Sequence, residues 1–172
     1  GQGRCRLGAS ILAQVYGALG DQPPELDSPT LLQSFATALR VLRGRDQLLA
    51  YHDIADGGLL ATLAEMAFAS HCGVDVQLPA GLGLRAQLFA EEIGAVVQVK
   101  TTDLAAVMQQ LNAVGLGHCS HDLGSPVAQL QLTMRSDREV LQLDWMRARR
   151  AWSETSHRMR LLRDDPGCAR EE

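Results

Sequence analysis

The chain has 172 residues, enough for one compact domain that buries roughly 70% of its unfolded surface without disulfide or metal staples. Its 46% hydrophobic and 21% charged residues exclude a disordered chain, and no apolar run reaches the roughly 20 residues of a membrane-crossing helix. A formal charge of −4 argues against DNA and RNA as partners, because nucleic-acid binding calls for a basic face that displaces phosphate counterions.

From the N-terminus, Ile11, Leu12, Val15, Tyr16 and Leu19 recur at helical spacing and predict a helix over residues 9–19 with a buried face, stopped by Gly20 and Pro23-Pro24. Ser28-Pro29 reads as an N-cap followed by proline in the first turn, opening a helix to Arg43-Gly44 with Leu31, Leu32, Phe35, Leu39 and Leu42 on one face. The run 48–52 reads as a buried strand, 53–58 as a turn, and 59–70 as a central helix apolar nearly all round, with Gly73 as its stop. Residues 74–78 alternate as a half-buried strand, and 85–92 read as a short helix. The β-branched run 93–99 has the character of a central strand. Asp103 is placed to cap a helix to Val114, and Gly115 and Gly117 break the chain. Strand-like runs follow at 120–123 and 127–134, with a weaker one at 140–143. A last helix spans 144–163 and ends at Pro166-Gly167. The order predicts an α/β (α+β) domain, a mixed sheet packed with helices, over residues 1–163, with 164–172 as a charged linker.

The first six residues lack the apolar core of an export signal, which makes the cytoplasm the expected location. Cys5, Cys72, Cys119 and Cys168 are scattered without a Cys-x-x-Cys pair and read as reduced thiols. Lys100, the only lysine, ends an apolar run with no glycine-rich loop beside it, so it serves neither phosphate nor Schiff-base chemistry.

The stretch His52-Asp53-Ile54-Ala55-Asp56-Gly57-Gly58 sets two carboxylates and two glycines between a strand and a helix. Carboxylate oxygen suits Mg2+, glycine admits a ligand close to the backbone, and a helix N-terminus favours an anion. The same residues also fit a plain turn in which Asp56 caps the helix. Glu91-Glu92 reads as a solvated turn, with one glutamate capping or pairing with an arginine, because neighbouring residues at a strand entrance point apart. His118, His121 and Asp122 fall on opposite faces of an extended segment, which argues against a metal site. Ser10 and Ser125 lack a His-Asp partnership or a nucleophile-elbow pattern, so no catalytic nucleophile stands out.

Several segments together resemble the large bacterial form of phosphoribosylformylglycinamidine synthase, also called formylglycinamide ribonucleotide amidotransferase. They are Leu7-Gly8-Ala9-Ser10-Ile11-Leu12-Ala13-Gln14-Val15-Tyr16, Leu48 to Asp53, Asp56 to Leu60 with Thr62 to Ala69, His71-Cys72-Gly73, Leu88 to Val99, and in the tail Trp152 to Ser156, Arg158-Met159 and Leu162 to Pro166. The resemblance covers nearly the whole chain and points to the second C-terminal domain of the aminoimidazole ribonucleotide synthetase type. It implies an α/β domain with a ferredoxin-like flavour. The reaction it implies uses ATP to activate the formyl amide oxygen of formylglycinamide ribonucleotide, and ammonia from glutamine then displaces phosphate to give the amidine.

By the same resemblance Asp53 matches a Mg2+ ligand at an ATP/ADP site and Ala55, through its backbone, a nucleotide contact; Gly57 and Gly58 are expected nucleotide contacts from the turn itself. The remaining ligands are implied to come from a preceding synthetase domain, and the amidotransferase cysteine and histidine from a glutaminase domain. Both domains are partners outside this sequence, so the fragment is expected to be inactive alone. The family pattern has serine where this chain has Ala55. Loss of that hydroxyl removes a hydrogen bond to a charged oxygen of about 1.5 to 3 kcal/mol. Two other classes compete: a scaffolding or interaction domain whose Asp53 and Asp56 serve only the turn, and a homodimeric enzyme of the selenophosphate synthetase or thiamine-monophosphate kinase type. The run Glu91 to Ala95 and the tryptophan-bearing tail speak against the latter. Former interfaces left exposed would favour a dimer of the fragment.

Overall fold

The computed structural model describes residues 2–20, 22–165, 167 and 168. In chain order its elements are α1 (Ile11–Val15), α2 (Pro29–Gly44), β1 (Ala50–Asp53), α3 (Gly58–Ser70), β2 (Gly73–Gln77), α4 (Leu84–Phe89), β3 (Ala95–Gln98), α5 (Leu104–Ala113), β4 (Gly124–Val127), β5 (Gln131–Ser136), β6 (Glu139–Asp144) and α6 (Trp145–Arg163). None of these helices is long and apolar enough to cross a membrane.

The strands form two sheets. A four-stranded mixed sheet runs β4-β2-β5-β6, with β2 and β5 parallel and the outer pairs antiparallel. A separate antiparallel pair, β1-β3, sets Asp53 opposite Ala95. The main core lies between α3 and the larger sheet, where Leu63, Ala64 and Ala67 meet Val74, Val76, Leu132 and Met134, with Leu88 and Trp145 closing the edges. Leu132 and Met134 are 0% exposed, and full burial of each such side chain contributes about 1.5 to 3 kcal/mol. The mixed α/β class expected from the element order is the one observed.

The helices with a clear cap and a clear stripe form where the sequence places them. Ser28 accepts the Leu31 N–H with Pro29 in the first turn of α2, and Asp144 accepts the Arg147 N–H at the start of α6. The expected stop of α6 at Pro166 lies outside the described residues, as does much of the 164–172 segment.

Several expectations need correction. The first helix stops at Val15 rather than residue 19, because Gly17 takes a left-handed conformation (φ 64°). Its N–H bonds Gln14 O at 3.0 Å and the Ala18 N–H bonds Ala13 O at 2.8 Å, a Schellman closure. The chain then folds back, Ala9 N–H to Leu19 O, so Val15, Tyr16 and Leu19 are 76%, 79% and 78% exposed instead of buried. His71, itself left-handed, ends α3, and Gly73 is already the first residue of β2. The run 93–99 contributes a strand of four half-buried residues to the two-stranded pair and is not central. Asp103 sits in a 3-10 turn and makes no side-chain cap. Residues 120–123 form no strand; the strand lies at Gly124–Val127 and carries Pro126, which the open edge of the sheet tolerates. The run 127–134 is divided between the end of β4 and β5, and the weak run at 140–143 is the full hairpin partner β6.

Candidate functional site

Strand β1 alternates half-buried and exposed residues, which turns Tyr51 and Asp53 outward and His52 toward α3. Asp53 ends the strand with a carboxylate 68% exposed. Its backbone, in contrast, is held on several sides. The His52 Nδ1 lies 2.7 Å from the Asp53 carbonyl, and the Thr62 hydroxyl shares its proton between that carbonyl at 3.3 Å and the Gly58 carbonyl at 3.1 Å. The next amide, Ile54 N–H, donates to Gly94 O at 2.9 Å.

The other ring nitrogen of His52, Nε2, is 2.7 Å from Glu65 Oε2. A carbonyl and a carboxylate both only accept, so the geometry calls for an N–H on each nitrogen, an imidazolium. Burial pushes the His52 pKa down, but the Asp53 carbonyl and the Glu65 carboxylate outweigh it and hold the pKa above its usual value. The second Glu65 oxygen accepts the indole N–H of Trp152, from α6, at 2.7 Å. Phe68, Ala69 and Arg149 complete a cleft of about 410 Å3 around His52, Glu65 and Trp152.

Between β1 and α3 the chain turns through Gly57 (φ 86°) and Gly58 (φ 68°), a conformation side chains disfavour. Gly58 is also tightly packed: a Cβ there would lie 2.7 Å from Leu88 O. Both amides are spent within the chain, Gly57 N–H on Glu91 Oε1 at 2.9 Å and Gly58 N–H on Ala55 O at 3.0 Å. Asp53, Ala55 and Asp56 are the exposed part of the turn, and Gly58 is buried. Asp56 does not cap α3; the N-cap position is Gly57, with no side-chain bond.

Glu91 and Glu92 diverge, as neighbouring residues in extended chain do. Glu91 Oε1 accepts the N–H groups of Ile11 and Gly57, both at 2.9 Å, tying α1 to the turn. Glu92 is buried and receives Arg6 Nε and Nη2, each at 2.7 Å, while Arg6 also reaches Asp27 at 2.9 Å. Burial pushes the Glu92 carboxyl up, yet the Arg6 hydrogen bonds and charge more than reverse this and leave it below the usual value. The bond to Glu92 holds the Arg6 guanidinium above its own usual value.

Among the described residues no group of three or more His, Cys, Asp and Glu side chains could hold a metal. The Asp53 and Asp56 side chains at this turn are both exposed, and two carboxylates are fewer than the donors that a complete Mg2+ site takes. His118 lies in a 3-10 turn, and His121 and Asp122 border a shallow cleft with Gln77 and Ser120, where Asp122 accepts the Gly124 N–H at 3.1 Å. All four cysteines are free. Sequence reasoning passed over Glu65 and Trp152, which lie 13 and 87 residues from their partners. No local pattern marks them.

The family described as AIR synthase related protein, C-terminal domain, matches residues 6–134. The chain belongs to this family. The match takes in β1, the turn and α3, and it ends inside β5, so α6 lies beyond it. Solved structures from Thermotoga maritima share the fold of this AIR synthase related domain. PurL complexed with ATP superposes with a TM-score of 0.61 at 14% identity, over 83% of this chain and 24% of that one. PurL complexed with AMPPCP gives 0.62 at 12% identity, over 83% and 24%. The PurLQS structure gives 0.60 at 13% identity, over 70% and 22%. The chain thus spans about a quarter of the length of the structures it matches.

Proposed function

We propose that this chain is one domain of an ATP-dependent ligase of purine biosynthesis, of the formylglycinamide ribonucleotide amidotransferase type, and that it lends the Asp53 turn to a Mg2+-nucleotide site. One observation carries the reading. In an AIR synthase related C-terminal domain, Asp53 ends a strand with its carboxylate free to solvent and its backbone fixed, at the mouth of a left-handed glycine turn that opens a helix. Two of the fold relatives are PurL complexed with ATP and PurL complexed with AMPPCP.

In this reading Asp53 supplies one oxygen ligand, Ala55 offers backbone only, and the half-buried Gly57 borders the approach, while Gly58, buried against the Leu88 and Ala90 carbonyls, shapes the turn; the amides of both glycines are engaged. Magnesium would neutralise phosphate charge. The other ligands come from an adjoining synthetase domain and the ammonia from a glutaminase domain, so residues 1–163 alone are inactive and 164–172 lead toward the glutaminase part. The cytoplasm is the matching location.

The test is calorimetry of Mg2+-dependent ADP and ATP binding on a polypeptide that carries the adjoining domains, parent against Asp53→Asn. Removal of one charged ligand is expected to weaken binding at one site by at least about tenfold. Unchanged binding at every site would overturn the nucleotide role. The second reading, a scaffolding domain, is favoured by the internal use of both glycine amides, and that negative result would select it.

A further inference from the structure

Among the described residues no side-chain hydrogen bond holds the Asp53 carboxylate, which lies 3.9 Å from His52 Nδ1, so its aim follows its backbone. That backbone is held by the β1-β3 pairing and by the Ile54 N–H bond to Gly94 O at 2.9 Å, and its carbonyl is the end point of a chain of three hydrogen bonds, each 2.7 Å: His52 to the Asp53 carbonyl, His52 to Glu65, and Trp152 to Glu65. Glu65 is the branch point, one oxygen facing the turn and the other α6. The competing support from Thr62 is longer and shared with Gly58.

We propose that Glu65 is a positioning residue that couples the docking of α6 to the geometry of the Asp53 turn, so that nucleotide binding there responds to a helix outside the family-matched residues. The inference rests on the role of Asp53 given above. The docking itself is well defined. Phe68 packs edge-on against Trp145 and Trp152 at 5.3 and 5.9 Å, and the Arg149 guanidinium of α6 lies 5.7 Å from the Phe68 ring centre. These contacts would hold α6 on α3 without Glu65. The Trp152 N–H and the Glu65 carboxylate add direction rather than area, and direction is what passes to His52 and on to the Asp53 peptide.

Two measurements test this. Asp53-Ile54 is the only Asp-Ile pair in the 172-residue chain, so 13C-carbonyl aspartate with 15N isoleucine isolates that one peptide group by NMR. Its resonance is expected to shift in Glu65→Ala and in Trp152→Phe, which keeps the ring on Phe68 but removes the N–H, and to shift less in Glu65→Gln, which retains an acceptor. A purely structural Trp152 would leave it unmoved, and that result overturns the coupling.

In the longer polypeptide, Mg2+-ADP affinity is expected to fall about tenfold in Glu65→Ala and about threefold in Trp152→Phe, with partial recovery in Glu65→Gln. In the plain 15N spectrum of the same samples, retained Ile11 and Ile93 cross-peaks show that each variant is folded. Full affinity in Glu65→Ala beside lost binding in Asp53→Asn overturns the coupling alone. Full affinity in Asp53→Asn overturns the nucleotide reading and with it the consequence for binding.

Discussion

Glu91 and Glu92 are adjacent in sequence yet serve different parts of the molecule, and Glu92 shows how a single buried charge is kept. Its carboxylate is matched on both oxygens by Arg6, which is in turn shared with Asp27. Removing either partner would strand a buried charge, so the pair specifies where the N-terminal segment lies even if its net contribution is modest. The folded carboxyl titrates below its usual value of 4.5, so the folded state binds fewer protons than the unfolded one across that interval. The contribution is therefore fully present above the unfolded value and lost as pH falls through the folded one. Thermal melts of the parent and Glu92→Gln should differ most near neutrality, the variant melting lower, and converge as the medium is acidified below 4.5. A constant gap at all pH values would rule out the ion pair as the cause. Sequence pattern suggested an arginine partner for one glutamate but could not choose Arg6, 86 residues away. Pairing at that separation is decided by topology.

At the scale of elements, the strand-turn-helix around Asp53 depends on Gly58 more than on any cap. Its left-handed φ costs a non-glycine residue roughly 1 to 2 kcal/mol, and a Cβ would also press on the Leu88 and Ala90 carbonyls. Gly58→Ala is expected to destabilise the fold by at least about 2 kcal/mol, read as a lower urea midpoint with an unchanged slope. A smaller effect would mean that the α4 end yields easily. The glycine pair was legible as a turn because the dipeptide carries its own backbone chemistry, α2 was legible from Ser28, Pro29 and its apolar stripe, and α6 from its apolar residues between Trp145 and Leu162. Helix α1 was misjudged in length because its apolar spacing continues past Gly17, and backbone closure there overrides periodicity. β4 was displaced by four residues because Gly124-Ser125-Pro126 has little strand propensity; its position comes from pairing with β2.

Taken as a whole, the molecule sets its proposed nucleotide turn on its weaker sheet. β2 and β5 have neighbours on both sides, β2 burying Val74 and Val76 and β5 the fully buried Leu132 and Met134, whereas among the described residues β1 and β3 pair only with each other and β3 is half-buried throughout. A two-stranded pair is marginal without further packing, and here α3 supplies most of it. Opening of β1-β3 should therefore require less free energy than global unfolding. Native-state hydrogen exchange is expected to show the amides of β2 and β5 exchanging only through global unfolding. Those of β1 and β3 should exchange at least about tenfold faster, by a route insensitive to low denaturant. If Mg2+-nucleotide binds at Asp53, it should slow β1 and β3 first, because ligand stabilises the state it binds and the local opening is the state it excludes. Equal exchange from both sheets would instead make the domain one cooperative unit, and ligand would then protect all strands alike.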